Sequence, residues 1–290
     1  MALHNLKDFH RPRSVEDALG LLAGEEDALL LAGGTFLRGL EVRGLLGGVE
    51  ALVDIRRIGL DTISVDDLGI EAGATATLSA LRGVVAARHE AWLGGLHDAL
   101  DCPPAQVRNT ATLGGCVAAS CPFFDVPTAL VALDAELSIR GADGERRIPL
   151  PELFAGLFAN SLEPGEFITS LSIPRAAGNS AGAFIKFEAH ANVLAIVNVA
   201  AQLTIDAGGV CTSARVALGG GVADTVVRSP AAEAILVGSR LEPGALLAAG
   251  AAVGGDIDPL ADHRASAEYR RAVAKVMARR ALERAVARLA

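Results

Sequence analysis

Aromatic side chains are scarce in this 290-residue chain, where nine Phe, one Tyr and one Trp make up 4% of the residues. Binding of single-stranded nucleic acid by stacking needs more rings than this, so that function is disfavoured. Positive charge is also in short supply. Lys and Arg total 26 against 34 Asp and Glu, a net charge of -8, which is the wrong sign for a general polyphosphate or nucleic-acid binder. Long apolar runs are missing as well. The best candidate, Ala191 to Ile205, is interrupted by Asn192, Asn198 and Gln202, and Gly244 to Gly255 is short and broken by glycine. A membrane span needs about 20 predominantly apolar residues, so none is expected. The opening stretch, MALHNLKDFHRPRSVED, lacks the apolar core of a secretory signal, and a cytoplasmic chain is expected. Four cysteines, Cys102, Cys116, Cys121 and Cys211, do not form a disulfide framework in so long a chain and read as thiols.

Several reaction classes lose their signatures too. Cys116 and Cys121 have Cys-x4-Cys spacing, half of a plant-type iron–sulfur pattern, but no Cys-x2-Cys follows. The six histidines are scattered, with no HExxH or close pair to hold a metal, and no GxSxG nucleophile elbow occurs.

What remains is a well-packed globular chain. Hydrophobic residues reach 51% and charged residues 21%, with mean hydropathy +0.39, which excludes disorder, and the length suits about two domains. In the first 140 residues, Ala28–Leu31, Ala51–Ile55 and Gly69–Ala72 read as strands and Val15–Leu22 and Leu78–Arg88 as helices of 3.6 period. Ser14 with Asp17, and Thr77 or Ser79, read as N-terminal caps. The apolar stretch Leu130–Ile139 reads as a strand ending at the turn Gly141-Ala-Asp-Gly144, a hairpin into Arg146–Pro149. A small polar linker, Arg175 to Ser180, precedes three longer strands, Ala183–Glu188, Leu194–Asp206 and Cys211–Leu218, with Asp206-Ala-Gly-Gly209 as a hairpin turn. Helices are expected over Ala231–Val237, Gly244–Val253 and Ser266 to Leu289. No internal repeat of 20–50 residues is evident.

Two turns carry the chemistry. In Leu30-Leu31-Ala32-Gly33-Gly34-Thr35-Phe36-Leu37, a buried strand runs into a double glycine and a hydroxyl, where bare backbone N–H groups form a nest for phosphate oxygens. It matches neither the P-loop nor GxGxxG, and a plain strand-to-loop turn is the competing reading. The stretch Thr110-Ala111-Thr112-Leu113-Gly114-Gly115-Cys116 repeats the chemistry, and Asp125 follows as an acceptor for ribose hydroxyls or an adenine amine. Two such turns approaching one pyrophosphate favour a dinucleotide.

With these turns in place the chain resembles the FAD-binding medium subunit of the molybdenum hydroxylases, the xanthine dehydrogenase and aerobic carbon monoxide dehydrogenase family. The likeness runs through Phe9-His-Arg-Pro12-x-Ser14, Ala32-Gly-Gly-Thr35, Ile70-Glu-Ala-Gly73-Ala-Thr75 and Arg108-Asn-Thr-Ala-Thr-Leu-Gly-Gly115. It continues through Leu162-Glu-Pro-Gly-Glu166-x-Ile168, Phe184-Ile-Lys186-Phe187, Ala214-Arg-Val-Ala-Leu-Gly219 and Arg264-Ala-Ser-Ala-Glu-Tyr-Arg-Arg271. No single piece is decisive; their order and spacing are.

The resemblance implies an α+β chain: a vanillyl-alcohol-oxidase-type FAD domain over 1–175, with subdomains of about 1–58 and 59–175, then a smaller domain over 176–290 with a three-stranded antiparallel sheet and helices. It implies that Leu30 to Leu37 form the first pyrophosphate loop and Thr112 to Cys116 the second, with Asp125 on the ribose or adenine side. Cys102 would line the flavin, Ile168 would pack on it, and the Lys186 ammonium would reach its polar edge. An ammonium there would stabilise the anionic reduced flavin; the competing reading is a lysine on the solvent face of the Phe184/Lys186 strand. The function implied is electron transfer through FAD, from two [2Fe-2S] clusters of a small partner subunit to an external acceptor. A large partner would carry the molybdenum cofactor, in a dimer of heterotrimers. Rival readings are a free-standing flavin oxidase or reductase and a non-redox nucleotide-binding subunit. Cys116 stands where relatives usually have Asn, Phe36 where a small or acidic residue is usual, and Val193 where an acidic or tyrosine side chain is frequent. Seven cations on the last helix, Arg270, Arg271, Lys275, Arg279, Arg280, Arg284 and Arg288, read either as a solvated face or as a docking surface for an acidic subunit.

Overall fold

The computed structural model describes residues 3, 5–24, 27–191 and 193–289; His4 and Asn192, used in the readings above, lie outside the described residues. The chain opens with β1 (Asp8–His10), α1 (Val15–Gly24), β2 (Ala28–Leu31), α2 (Thr35–Val42) and β3 (Ala51–Asp54). Both outer strands pair with β3 in parallel, so the order is β1-β3-β2. The cap of α1 is the expected one: Ser14 Oγ accepts the Asp17 N–H at 3.0 Å, and the Asp17 carboxylate accepts the Arg13 N–H at 3.2 Å. Ala18 turns inward onto Val53 and Ile55, and Leu21 and Leu22 cover the flank of that small core.

A five-stranded antiparallel sheet follows, built from β4 (Ile63–Val65), β5 (Gly69–Gly73), β6 (Glu136–Gly141), β7 (Gly144–Pro149) and, after the hairpin β8 (Phe154–Gly156) and β9 (Ala159–Asn160), β10 (Phe167–Pro174). Its order is β4-β5-β10-β6-β7. Five helices lie between β5 and β6: α3 (Leu78–Arg88), α4 (Gly94–Asp101), α5 (Ala105–Arg108), α6 (Leu113–Ala118) and α7 (Val126–Ala132). Thr77 caps α3 by accepting the Ala80 N–H at 3.1 Å. One expectation is corrected here. The apolar stretch from Leu130 is not one strand: its first residues finish α7, Asp134 turns the chain at φ 52°, and the strand begins at Glu136. All seven residues of α7 are buried, so no polar face marks its helical period.

The last part is a meander of β11 (Asn179–Phe187), β12 (Val197–Ile205) and β13 (Cys211–Gly219), with a two-residue β14 (Val227–Arg228) at the edge that the sequence pattern does not mark. Asp206 closes the predicted turn by accepting the Gly208 and Val210 N–H groups at 2.8 and 2.9 Å. Helices α8 (Pro230–Leu236), α9 (Pro243–Ala252) and α10 (Ala267–Arg288) complete the chain. Register alternates this sheet between two cores. The row Phe184, Ala200, Ala217 faces the core that holds α4 and α7, and the row Ala183, Ala201, Val216 faces the helices that follow the sheet. Burial on both faces explains why these strands are so continuously apolar.

The last helix is pinned along its length. Arg288 forks onto Asp98 of α4 with two 2.8 Å bonds and reaches the Gly182 carbonyl at 2.7 Å. Asp98 also accepts the Phe184 N–H at 3.1 Å, and Arg284 donates to the Phe184 carbonyl at 3.2 Å. Arg270, fully buried, donates to the Ile196 carbonyl at 3.2 Å and to Asp262 at 2.8 Å, and Arg271 donates to the Gly254 carbonyl. The basic helix is therefore not a plain solvated face, because four of its seven cations hold the chain's own segments together. Asp98→Ala leaves a guanidinium and a strand N–H without their acceptor and is expected to cost about 2–3 kcal/mol. Glu283→Ala, in the exposed pair with Arg279, should leave the urea midpoint almost unchanged. Equal midpoints for the two variants would contradict this account of the clamp.

Candidate functional site

The first glycine turn leaves the carboxyl end of β2. A Cβ on Gly33 would lie 2.0 Å from the Thr110 carbonyl oxygen, so only glycine allows this turn to press against the segment that leads into the second. Gly34, at φ +69°, then starts α2 without any capping side chain. The consequence is a row of bare donors: among the described residues, the N–H groups of Gly33, Gly34, Thr35, Phe36 and Leu37 have no acceptor. They stand at the positive end of the α2 dipole, which makes this the natural seat for an anion. Leu30 and Ala32 pack against the small core behind the turn, and Leu31 and Leu37 are half-buried beside it.

The second turn is built differently. Thr112 caps α6 by accepting the Gly115 N–H at 3.3 Å, while the Leu113 and Gly114 N–H groups donate to the Ala76 and Ala74 carbonyls at 2.9 Å. A Cβ on Gly114 would sit 2.6 Å from the Ala74 Cβ. Gly114 is thus a packing glycine whose amide is already bonded, which corrects the picture of two equivalent nests. Gly115 is exposed, and Cys116 is half-buried beside it.

Aromatic contacts that sequence reasoning missed tie the turns to their surroundings. The Phe36 ring meets Phe124 edge-on at 5.9 Å and stacks with Phe158 at 6.0 Å. Phe158 sits at φ 57°, donates its N–H to the Ser120 carbonyl at 3.1 Å, and is followed by Asn160, which donates to the Ala118 carbonyl at 2.8 Å. Hairpin β8–β9 therefore straps the exit of the second turn to the first. Phenylalanines 34 to 122 residues apart leave no local signal of such a cluster.

Asp125 and Lys186 meet where β11 approaches the end of the second turn. Lys186 Nζ lies 3.1 Å from Asp125 Oδ2 and 2.8 Å from Glu188 Oε2, with its side chain 8% exposed. The solvent-face reading of Lys186 is overturned: it shares the inward face of Phe184, in a row with Asn198 and Gly219. Asp125 Oδ1 accepts the Asn198 side-chain N–H at 3.2 Å. The sequence reading has Asp125 as an open acceptor; the structure buries it, 6% exposed, with both oxygens already engaged. Burial pushes its carboxyl up to about 6, against the opposing pull of the Lys186 ammonium. Burial works against the charge of Lys186, but the carboxylates of Asp125 and Glu188 outweigh it and hold the ammonium above its ordinary range. Cys102, at the end of α4, donates to the Asp98 carbonyl at 3.4 Å, and burial with the nearby Asp125 charge pushes its thiol up to about 12. Burial also raises Cys116, and Cys121 to about 11, so all three stay protonated at neutral pH. Ile168 lies in the core on β10 and presents little surface to a ligand.

Residues 4–176 match the family model described as the FAD binding domain in molybdopterin dehydrogenase, and residues 182–285 match that of the CO dehydrogenase flavoprotein C-terminal domain. The chain belongs to this FAD-binding family. It is 35% identical to the 6-hydroxypseudooxynicotine dehydrogenase complex subunit alpha of Paenarthrobacter nicotinovorans, over 97% of this chain and 95% of that relative. It is 34% identical to the carbon monoxide dehydrogenase medium chain of Afipia carboxidovorans, over 97% of each. The structure of reconstituted CO dehydrogenase from Oligotropha carboxidovorans superimposes with a TM-score of 0.91 at 34% identity, covering 99% of this chain and 100% of that one.

The residues present fit FAD. A pyrophosphate needs donors that have no other acceptor, and the α2 terminus of this FAD-binding chain holds five in a row. Backbone amides carry no formal charge, so the net charge of -8 does not oppose them locally.

Two outcomes follow from this geometry. Gly33→Ala drives a methyl into the Thr110 carbonyl and should cost about 1–3 kcal/mol. Gly20→Ala on α1, where a Cβ meets nothing within 4 Å, should stabilise by about 0.5–1 kcal/mol in the same thermal assay. A Gly33→Ala chain as stable as the wild type would misplace the first turn. For Asp125, the folded chain holds the proton more tightly than the unfolded one, so stability falls as pH rises from about 4 through about 6. Relative to Asp125→Asn, the wild-type chain should lose stability across pH 4 to 7; a constant difference between the two would contradict the burial account.

Proposed function

We propose that this chain is the FAD-containing electron-transfer subunit of a heteromeric molybdenum hydroxylase. It accepts electrons from [2Fe-2S] clusters in a small partner subunit and passes them to an external acceptor; a large partner holds the molybdenum cofactor and the substrate pocket. The observation that carries the reading is the row of free amides from Gly33 to Leu37, pressed by Gly33 onto the segment that leads into the second turn. The names of its relatives add to this, since they are a complex subunit, medium chains and FAD-binding subunits of dehydrogenases. One solved relative is described as a Cu,Mo-CO dehydrogenase.

In this reading FAD supplies the redox chemistry when bound, and the protein binds it, orients it and sets the charge around it. The N–H groups at the start of α2 hold the pyrophosphate, with Thr35 beside them and Gly115 and Cys116 across the gap. Lys186, its ammonium held between Asp125 and Glu188, stands toward the flavin's polar edge with Cys102 beside it, while Asp125 and Ile168 support the site from within the core. The flavin domain extends to about residue 175, divided near residue 58, and the part from 176 closes over it. The assembly is a cytoplasmic dimer of heterotrimers.

Purification of the native protein tests the proposal. The chain should co-elute with a larger subunit containing molybdenum and a smaller one containing iron and acid-labile sulfur, at one FAD per copy of this chain. Reductant added to the complex should bleach the iron–sulfur and flavin absorption together. A monodisperse lone flavoprotein that turns over a small organic donor by itself would overturn the reading, and a folded chain that takes up no FAD on reconstitution would overturn it more completely.

A further inference from the structure

Asn198 is an unusual residue for its place. It lies in the middle sheet strand with no solvent exposure, where a polar amide is disfavoured unless its hydrogen bonds are made. Every one of its contacts points at the Asp125 end of the site. Its Nδ2 donates to the Phe124 carbonyl at 3.1 Å and to Asp125 Oδ1 at 3.2 Å, and its Oδ1 faces Thr128 Oγ1 of α7 at 2.9 Å. The orientation is dictated from both sides. A carbonyl can only accept, so the amide nitrogen must face Phe124; the oxygen then needs a donor, and the buried Thr128 hydroxyl is one. The third strand leaves room for this. A Cβ on Gly219 would lie 2.5 Å from both Asn198 Oδ1 and Thr128 Oγ1, so a side chain there would break the bond between them.

We propose that Asn198, oriented by Thr128, is the positioning residue of the Asp125–Lys186 pair: it holds one carboxylate oxygen so that the other meets the ammonium, and thereby fixes where that positive charge stands. The importance of this for the flavin rests on the function proposed above; the hydrogen-bond geometry does not. Asn198 donates to the charged form of Asp125 and favours it, against the burial that opposes it. The other groups bearing on Asp125 are Lys186 and Glu188 from β11, Cys102 beyond α4, Cys116 of α6 and Cys121 after it. The three thiols are protonated throughout the range in which Asp125 titrates, so they add no charge of their own there.

The test is a titration of Asp125 in the full chain labelled with carboxyl-13C aspartate, its signal assigned by its disappearance in Asp125→Asn. Asn198→Ala should raise the Asp125 midpoint by about 1 pH unit, the size expected for one hydrogen bond to a charged group. Thr128→Val keeps the volume of the side chain and deletes only the donor, so it should shift the midpoint the same way by a smaller amount. Thr128→Ser restores the hydroxyl and should restore the midpoint. If Asn198→Ala does not fold, the two Thr128 variants decide alone. A midpoint unmoved in folded Thr128→Val overturns the proposal, as does a shift that Thr128→Ser fails to reverse. FAD content of the same preparations separates the two claims: a wild-type chain without FAD counts against the proposed function, while the titration still decides the role of Asn198.

Discussion

The approach of Gly33 to the Thr110 carbonyl is the contact on which the candidate site depends. It joins the small parallel sheet that begins the chain to the antiparallel part that follows, at a separation no side chain tolerates. Because the joint is made by backbone, it places backbone in the gap. Among the described residues the first turn keeps its amides free, whereas in the second the Leu113 and Gly114 amides are bonded to Ala76 and Ala74 and those of Gly115 and Cys116 to Thr112, so the two turns are not equivalent. In the proposed function the first would bind, while the second is braced from behind by its own chain.

The C-terminal sheet closes this arrangement. One face lies on α4 and α7 and the other on its own helices, so the sheet is a layer shared between two cores. Asp98 and Arg288 fasten this layer at Gly182 and Phe184 of β11, while Asp125, Lys186 and Asn198 meet farther along the same strand pair. A charge pair at such a junction couples packing to electrostatics. Its position is set by strand register, and its ionisation by how completely the layer excludes water.

Local chemistry made part of this legible in the amino-acid order. The double glycines, the caps at Ser14 and Thr77 and the Asp206 turn depend on neighbours within a few residues, and each is where its residues predict. What depended on distant partners was hidden. Alternation shows that Phe184 and Lys186 share a face but not which face turns inward, so a solvated Lys186 stood as the competing reading. Helix α7 is buried all round and has no polar stripe to betray its period. The arginines of α10 reach carbonyls and carboxylates up to 190 positions away, and composition alone describes them only as a basic helix. Gly114 was legible as a glycine but not as a packing glycine, because Ala74 lies 40 positions before it.

The central claim is that FAD is held by its pyrophosphate at the start of α2. A crystal structure of the flavin-loaded protein tests it most directly. The account predicts pyrophosphate oxygens within hydrogen-bonding distance of the N–H groups between Gly33 and Leu37, with the flavin ring on the side of Lys186. A pyrophosphate seated elsewhere, with those five amides still lacking acceptors, would contradict it.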